Sequence, residues 1–274
     1  MSTEPFTKER QTFLRLITTN PSSITAGFTV KEGGVSEAPF SSLNMGLHVN
    51  DDPSHVVSNR DICANAAGIP LSNWVFADQV HGCHIAEAGL EHRGNGAFDY
   101  ATALPETDGI YTKQPNLVLA LAYADCVPVF FYEEETGLVG IAHAGWKGSV
   151  LDIGGAMIRR FEEEGADIRH IQAVIGPSIG ACCYKVDERV IAEVDKLFEG
   201  HEELPYIEAE PGQYSLDLKK LNKALLLKAG LHRENISVSN RCTSCEEDLF
   251  FSHRRDLGKT GRMVGFIGRK EEGS

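Results

Sequence analysis

Residues 124–148 read ADCVPVFFYEEETGLVGIAHAGWKG. An apolar run, VPVFFY, follows Asp125 and Cys126. A polar turn, EEETG, separates it from a second apolar run that ends at His143 and a glycine-flanked Trp-Lys. Short apolar runs bounded by turn residues predict two strands of an antiparallel hairpin. In a hairpin the start of one strand lies beside the end of the next, so Cys126 and His143 are expected side by side at a sheet edge. A thiol beside an imidazole is either a nucleophile with its base or two ligands of one metal. The residues alone leave both open.

Working upstream, NLVLALAYAD predicts a strand that delivers Asp125 and Cys126. Before it, WVFADQVH alternates apolar and polar residues and breaks at Gly82. His81 and His84 have a spacing that suits a metal on a helix, but the glycine between them and the strand-like flanks argue against one, so only His81 is expected to face a site. Asp108, in TDGIYT, is read as orienting a histidine or capping a turn, with the turn expected, and Asp125 as orienting a ligand or a base. Further back, ITAGFTV predicts a strand, followed by a long loop rich in Gly, Ser, Asn and Pro that holds Ser41, Ser42 and Asn44. Loops of that length in compact domains are more often functional than neutral. A helix is expected over 53–67, stopped by Gly68 and carrying Arg60, which is read as a salt-bridging residue or a contact to an anionic ligand group.

Downstream, SVLDIGGAMIRRFEEEGAD predicts one amphipathic helix, IQAVIG a strand, and two further helices end at Gly200 and Gly230. Cys182 and Cys183 are read as buried small apolar filling, since adjacent cysteines do not easily chelate one ion together. Cys242-x-x-Cys245 has the form of half a zinc knuckle, but no second pair at suitable spacing stands out, so packing is expected. Arg254, Arg255 and Arg262, among glycines, form a candidate anion site.

The chain has 274 residues, 42% of them apolar, enough to bury a full core as one unit. Lys plus Arg number 26 against 39 Asp plus Glu, a net charge of −13, which excludes a polymeric nucleic-acid partner over most of the surface. No apolar run approaches the ~18 residues of a membrane span, and the N-terminus is polar. Seven cysteines, an odd number, fit a reducing compartment. A soluble cytoplasmic protein, by default a monomer, is expected.

Taken in order, LNMGLHVNDDP, QVHG, TDGIYT, ADCVPVFFY, AHAGWKG, IGPSIGACCYKV and CTSCEEDLFFSHRRDLGKTGRM resemble the laccase-domain family, also called the polyphenol oxidoreductase or peptidoglycan-editing-factor family. The resemblance covers roughly residues 27 to 268, with the quoted motifs between Leu43 and Met263. The resemblance implies a single α/β (α+β) domain with mixed sheets packed between helices, similar to the cysteine-hydrolase fold of deamidating toxins. It implies one metal site at His81, Cys126 and His143, the same three serving catalysis, with zinc as cofactor and copper able to occupy it. Members are similar to enzymes that phosphorolyse adenosine, inosine and S-methyl-5′-thioadenosine and that deaminate adenosine, so purine nucleosides and phosphate are the implied partners. Ser178 and Ala181 depart from the expected pattern without touching the ligands. The laccase name does not describe the chemistry, because ten histidines with no His-x-His cannot build several copper centres. The P-C-x-x-C of cytidine-deaminase-like enzymes is absent too. Asn44, Arg60 and Asp125 are the expected substrate-binding residues. Two alternatives stand beside this reading: a Cys126-dependent amidase acting on muramyl-amino-acid precursors, with His143 as base, and a non-catalytic metal-binding protein.

Overall fold

In the computed structural model, which describes residues 4–8, 12–18, 23–198 and 203–271, the hairpin forms as expected. Strand Val127–Glu133 pairs antiparallel with Leu138–Ala144, and Pro128 lies opposite His143. Every residue of both strands is buried. Such continuous apolar runs belong to strands covered on both faces. Phe130, Tyr132, Val139 and Ile141 point towards one cluster and Val129, Phe131, Leu138 and Ala142 towards another, as the two-residue period of a strand requires.

These strands are the centre of a six-stranded mixed sheet in the order Ile236–Val238, Gln172–Ile175, Val127–Glu133, Leu138–Ala144, Gly109–Thr112, Ile85–Glu87. A second six-stranded mixed sheet runs Phe6–Thr7, Phe13–Leu16, Ile24–Thr29, Met263–Arg269, Val118–Tyr123, Trp74–Phe76. The two sheets pack face to face through Phe28, Leu121, Tyr123, Phe130, Ile141 and Ile267. Helix Pro53–Ala67 covers the outer face of the second sheet, where Cys63, Ala64 and Ala67 meet Val118, Ala120 and Phe266. Helices Ile153–Glu163 and Leu218–Lys228 cover the outer face of the first. The result is a single mixed α/β domain in four layers. Each fully buried Phe or Leu contributes roughly 1.5–3 kcal/mol, so the hydrophobic drive is spread over three contiguous clusters.

Local chemistry explains the helix ends. Pro53 takes the first helical position, Asp52 accepts the N–H of Ser54, and Gly68 closes the helix at φ 76°. The expected single helix over 149–167 is instead two. Trp146–Val150 turns directly out of the hairpin, and Asp152, at φ 57°, breaks the run and caps Ile153–Glu163 through Gly155 N–H. The next helix spans only Glu188–Asp195, and its expected stop at Gly200 lies outside the described residues. A small antiparallel sheet of Lys185–Asp187, Gln213–Leu216 and Tyr206–Glu210 was not foreseen in the sequence. WVFADQVH is a strand only over Trp74–Phe76; Gln79 onward is loop, pinned where the Gln79 amide exchanges two hydrogen bonds with the backbone of Ala122. No helix among the described residues is long and apolar enough to cross a membrane.

Candidate active site

Thiol and imidazoles gather at the end of the hairpin, whose strands are central rather than at the sheet edge that was expected. One ligand atom each of His81, Cys126 and His143 lies within 4.8 Å of the others, and the His81 and His143 rings meet edge-on with centroids 4.8 Å apart. Cys126 precedes the first hairpin strand and His143 is the penultimate residue of the second, so the hairpin register sets this pair. Gly145 is needed beside them: a Cβ there would lie 2.8 Å from the Cys126 sulfur.

Asp108 is the residue the sequence reading undervalued. It does not merely form a turn; its carboxylate is fully buried and organises the whole corner. Strand Gly109–Thr112 pairs with Leu138–Ala144, Gly109 opposite Ala142, which brings Asp108 beside His143. Oδ1 accepts from His143 Nδ1 at 2.8 Å and from the His81 amide at 3.0 Å, and Oδ2 from the amides of Gly82 at 2.7 Å and Val80 at 3.2 Å. One carboxylate thus fixes the QVHG loop, with His81 held at φ 61°, and orients the ring of His143. Nδ1 of His143 is committed to Asp108, so Nε2 is the ring nitrogen that faces Cys126 and His81.

The electrostatics follow. Burial would push the Cys126 thiol up, but the imidazoles of His143 and His81 outweigh it and bring its pKa down to about 6. Burial would push His143 down, but Cys126 and Asp108 raise it to about 9. One mutual attraction lowers the thiol and raises the imidazole, and it favours a thiolate–imidazolium pair in the metal-free protein.

The three groups open onto a cavity of about 330 Å³ whose walls include His48, Tyr100, Tyr184, His253, Arg254 and Arg262. That volume lies at the small end of ligand pockets. Asp125 reaches it, as expected, but its carboxylate is committed: Oδ1 accepts from Thr243 Oγ1 at 2.7 Å, and Oδ2 from Ser252 Oγ at 3.0 Å and the Arg254 amide at 2.7 Å. It therefore orients the segment that presents His253 and Arg254 rather than a metal ligand.

Asn44 and Arg60 are not brought to the cavity. Arg60 is buried; its guanidinium donates to the carbonyls of Met45, Gly96 and Ala97 and lies 3.8 Å from the ring centroid of Phe76. Asn44 is fully buried, bonded to Asp51 and, through Oδ1, to the amides of Gly46 and Arg262. It sets the backbone from which Arg262 reaches the cavity. Ser42 also serves its own loop, accepting from the Gly34 amide. Of the three C-terminal arginines, Arg254 and Arg262 line the cavity, whereas Arg255 is consumed by Asp256 and the carbonyls of Thr243, Ser244 and Phe250. His48 was missed. Burial first, and the charges of Arg262 and Arg60 after it, lower its pKa to about 4, so it is a neutral imidazole on a cationic wall.

The cysteine readings also change. Cys182 and Cys245 are exposed rather than core filling, Cys183 is half-buried against the core, and all three gather with Cys242 into one cluster.

Three comparisons bear on this chain. The family model described as multi-copper polyphenol oxidoreductase laccase matches residues 25–270. A Geobacillus stearothermophilus protein named purine nucleoside phosphorylase YlmD is 49% identical over 97% of this chain and 98% of its own length. A Staphylococcus epidermidis protein named purine nucleoside phosphorylase is 39% identical over 91% of this chain and 93% of its own. The crystal structure of the G. stearothermophilus YlmD superposes with a TM-score of 0.96, covering 98% of this chain and all of the other. A Neisseria meningitidis structure does so at 0.79 with 28% identity, covering 95% of this chain.

Proposed function

Because this chain belongs to the multi-copper polyphenol oxidoreductase laccase family, we propose that it is a zinc-dependent purine nucleoside phosphorylase, acting on adenosine, inosine and S-methyl-5′-thioadenosine and deaminating adenosine. Relatives of 49% and 39% identity carry the phosphorylase name. The observation that carries the reading is the juxtaposition of His81, Cys126 and His143 with a cavity walled by Arg254, Arg262 and a neutral His48.

The residues fit the metal. Three donors with a carboxylate behind one histidine and open space in front match a catalytic zinc site, which keeps one position free. Copper would also be accepted by two imidazoles and a thiolate. Zinc bound there would act as a Lewis acid.

The chain's own groups do the rest. Arg262 and Arg254 present positive charge to an incoming phosphate dianion, and partial burial of Arg262 strengthens that attraction. His48, kept neutral, exchanges hydrogen bonds with sugar or base without adding charge. Tyr184, with Arg254 stacked 4.9 Å from its ring centroid, offers an apolar face to a flat base. In phosphorolysis a phosphate oxygen bonds to ribose C1′ as the C1′–N9 bond breaks, and the departing purine keeps the electron pair and takes a proton. In deamination water adds at C6 and ammonia leaves.

A second reading has its own observation. Cys126, His143 and Asp108 form a nucleophile, base and orienting carboxylate, with the His143–Asp108 bond at 2.8 Å. In that arrangement the thiolate bonds to the amide carbon, the C–N bond breaks as His143 gives its proton to the departing amine, and water then hydrolyses the thioester; a bound metal would block it. The test is purified protein incubated with adenosine and phosphate, followed by chromatography for adenine, inosine and ribose 1-phosphate, with and without chelator and with Cys126→Ala. Phosphate-dependent adenine release, lost on chelation and in the variant, supports the phosphorylase. Absence of nucleoside turnover, with muramyl-amino-acid cleavage that rises on chelation, replaces it with the amidase.

A further inference from the structure

Strands Gln172–Ile175 and Ile236–Val238 are parallel neighbours, Ile175 opposite Val238, so the loops that leave their C-terminal ends emerge together. Those loops stay joined: Ser178 bridges to Cys242, and the amide of Thr243 donates to the Ser178 carbonyl at 3.1 Å. One loop carries Cys182 and Cys183, the other Cys242 and Cys245. All four sulfurs lie within 4.8 Å of one another. The sulfur–sulfur separations are 3.6 Å for Cys182–Cys242, 3.5 Å for Cys182–Cys245 and 3.4 Å for Cys183–Cys245.

We propose that these four cysteines bind a second, structural zinc ion, separate from the site at Cys126. The geometry decides between a metal and a cross-link. A disulfide holds two sulfurs at ~2.05 Å and leaves the others out. Four thiolates around zinc at ~2.3 Å stand ~3.8 Å apart along every edge of the tetrahedron, and the separations here are close to that for several pairs at once. Vicinal cysteines serve together because Cys182 and Cys183 sit in a turn, which lets both side chains face the opposite loop. The surroundings suit a bound anionic cluster. The Gly180 amide donates to the Cys242 sulfur at 3.2 Å, and Lys219, whose ammonium donates to the Arg241 carbonyl at 2.8 Å, lies within the field of Cys182 and Cys242.

The site would also brace the cavity. Thr243, between two of the ligands, donates to Asp125, the residue at φ 86° that precedes Cys126, and its carbonyl accepts from Arg255. Tyr184, two residues after Cys182, lines the cavity. Closing the four-cysteine site fixes two walls at once.

The test uses His81→Ala/Cys126→Ala protein, in which the other site is lost, so a failure of this inference cannot be confused with a failure of the phosphorylase reading. After purification under reducing conditions, elemental analysis is expected to find one zinc per chain, and none after adding Cys182→Ser and Cys245→Ser. Cobalt exchanged into the two-residue variant is expected to show sulfur-to-metal charge-transfer absorption. If the four-residue variant fails to fold, wild-type protein supplies the same answer: Cys182 and Cys245, though exposed, should resist iodoacetamide until a chelator is added. Absence of zinc from the two-residue variant, zinc retained in the folded four-residue variant, prompt alkylation without chelator, or a mass showing a disulfide would each overturn the proposal.

Discussion

The molecule holds two sulfur clusters, and they differ in almost every respect. At the hairpin edge two imidazoles share one thiolate, a buried carboxylate stands behind them, and a cavity opens in front. At the junction of two parallel strands four cysteines face one another, two exposed, one half-buried and one buried, with the Gly180 amide donating to Cys242. On the two proposals, the first would leave a coordination position free and the second would fill every one. Chemistry needs the former and cross-bracing the latter. Donor count and what lies in front of the donors therefore separate a working site from a stapling one, even when both contain cysteine.

The contrast is broken most directly at Asp108. Asp108→Asn keeps the volume but turns one acceptor into a donor facing an amide or the His143 ring. Activity and metal affinity at the hairpin site are expected to fall by about 10–100-fold, measured by turnover and by zinc competition, while zinc held by the four cysteines is unchanged. Equal loss at both sites would mean that Asp108 supports the fold rather than the site.

Arg262→Ala probes what stands in front of the first cluster. Loss of a charge-assisted contact of about 1.5–3 kcal/mol is expected to raise the KM for phosphate by roughly ten-fold or more, with the KM for nucleoside changing less. If phosphate dependence stays unaltered, the anion is bound elsewhere.

A smaller effect appears in pH dependence once metal is stripped. Cys126, lowered from 9.0 to about 6, contributes stability that is full above 9.0 and lost as pH falls through 6. His143, raised from 6.5 to about 9, contributes stability that is full below 6.5 and lost as pH rises through 9. Stripped protein should then be most stable between those limits, and Cys126 should be alkylated with a midpoint near 6. In Asp108→Asn the upper limit should move down, because His143 loses a partner. Thermal melts and alkylation rates across pH read both, and a midpoint at the value of an ordinary thiol would remove the thiolate–imidazolium pair.

The smallest effect on catalysis is expected from Arg60. Arg60→Ala removes a buried guanidinium with three carbonyl partners and should cost on the order of 3 kcal/mol of stability in denaturant melts, with the KM for phosphate unchanged. A raised KM at full stability would return Arg60 to the binding role expected of it from sequence.

Which residues were legible follows a physical rule. Cys126 and His143 could be paired from sequence because a hairpin with a short turn fixes its own register, and contacts across it are local. The helix over 53–67 was equally readable, since its Asp52 and Gly68 caps are local signals. Asp108 was half-legible. It precedes a predicted strand, but its meaning depended on that strand joining the hairpin from some thirty residues away. The inward placement of Arg60 and Asn44 was not legible, because polarity in a helix and a loop says nothing about which side faces the interior; here both close the long loop against the second sheet.

The sequence by itself determined the apolar runs and the hairpin with its thiol and imidazole side by side at one end. Tertiary structure alone decided that Asp108 stands behind His143, that Arg262 rather than Arg60 meets the cavity, and that Cys182 and Cys183 meet Cys242 and Cys245. The reason is sequence separation. Turns and helix caps are written in adjacent residues, whereas parallel pairing such as Ala173 with Ile236 joins segments whose loops carry no mutual signal until the sheet forms.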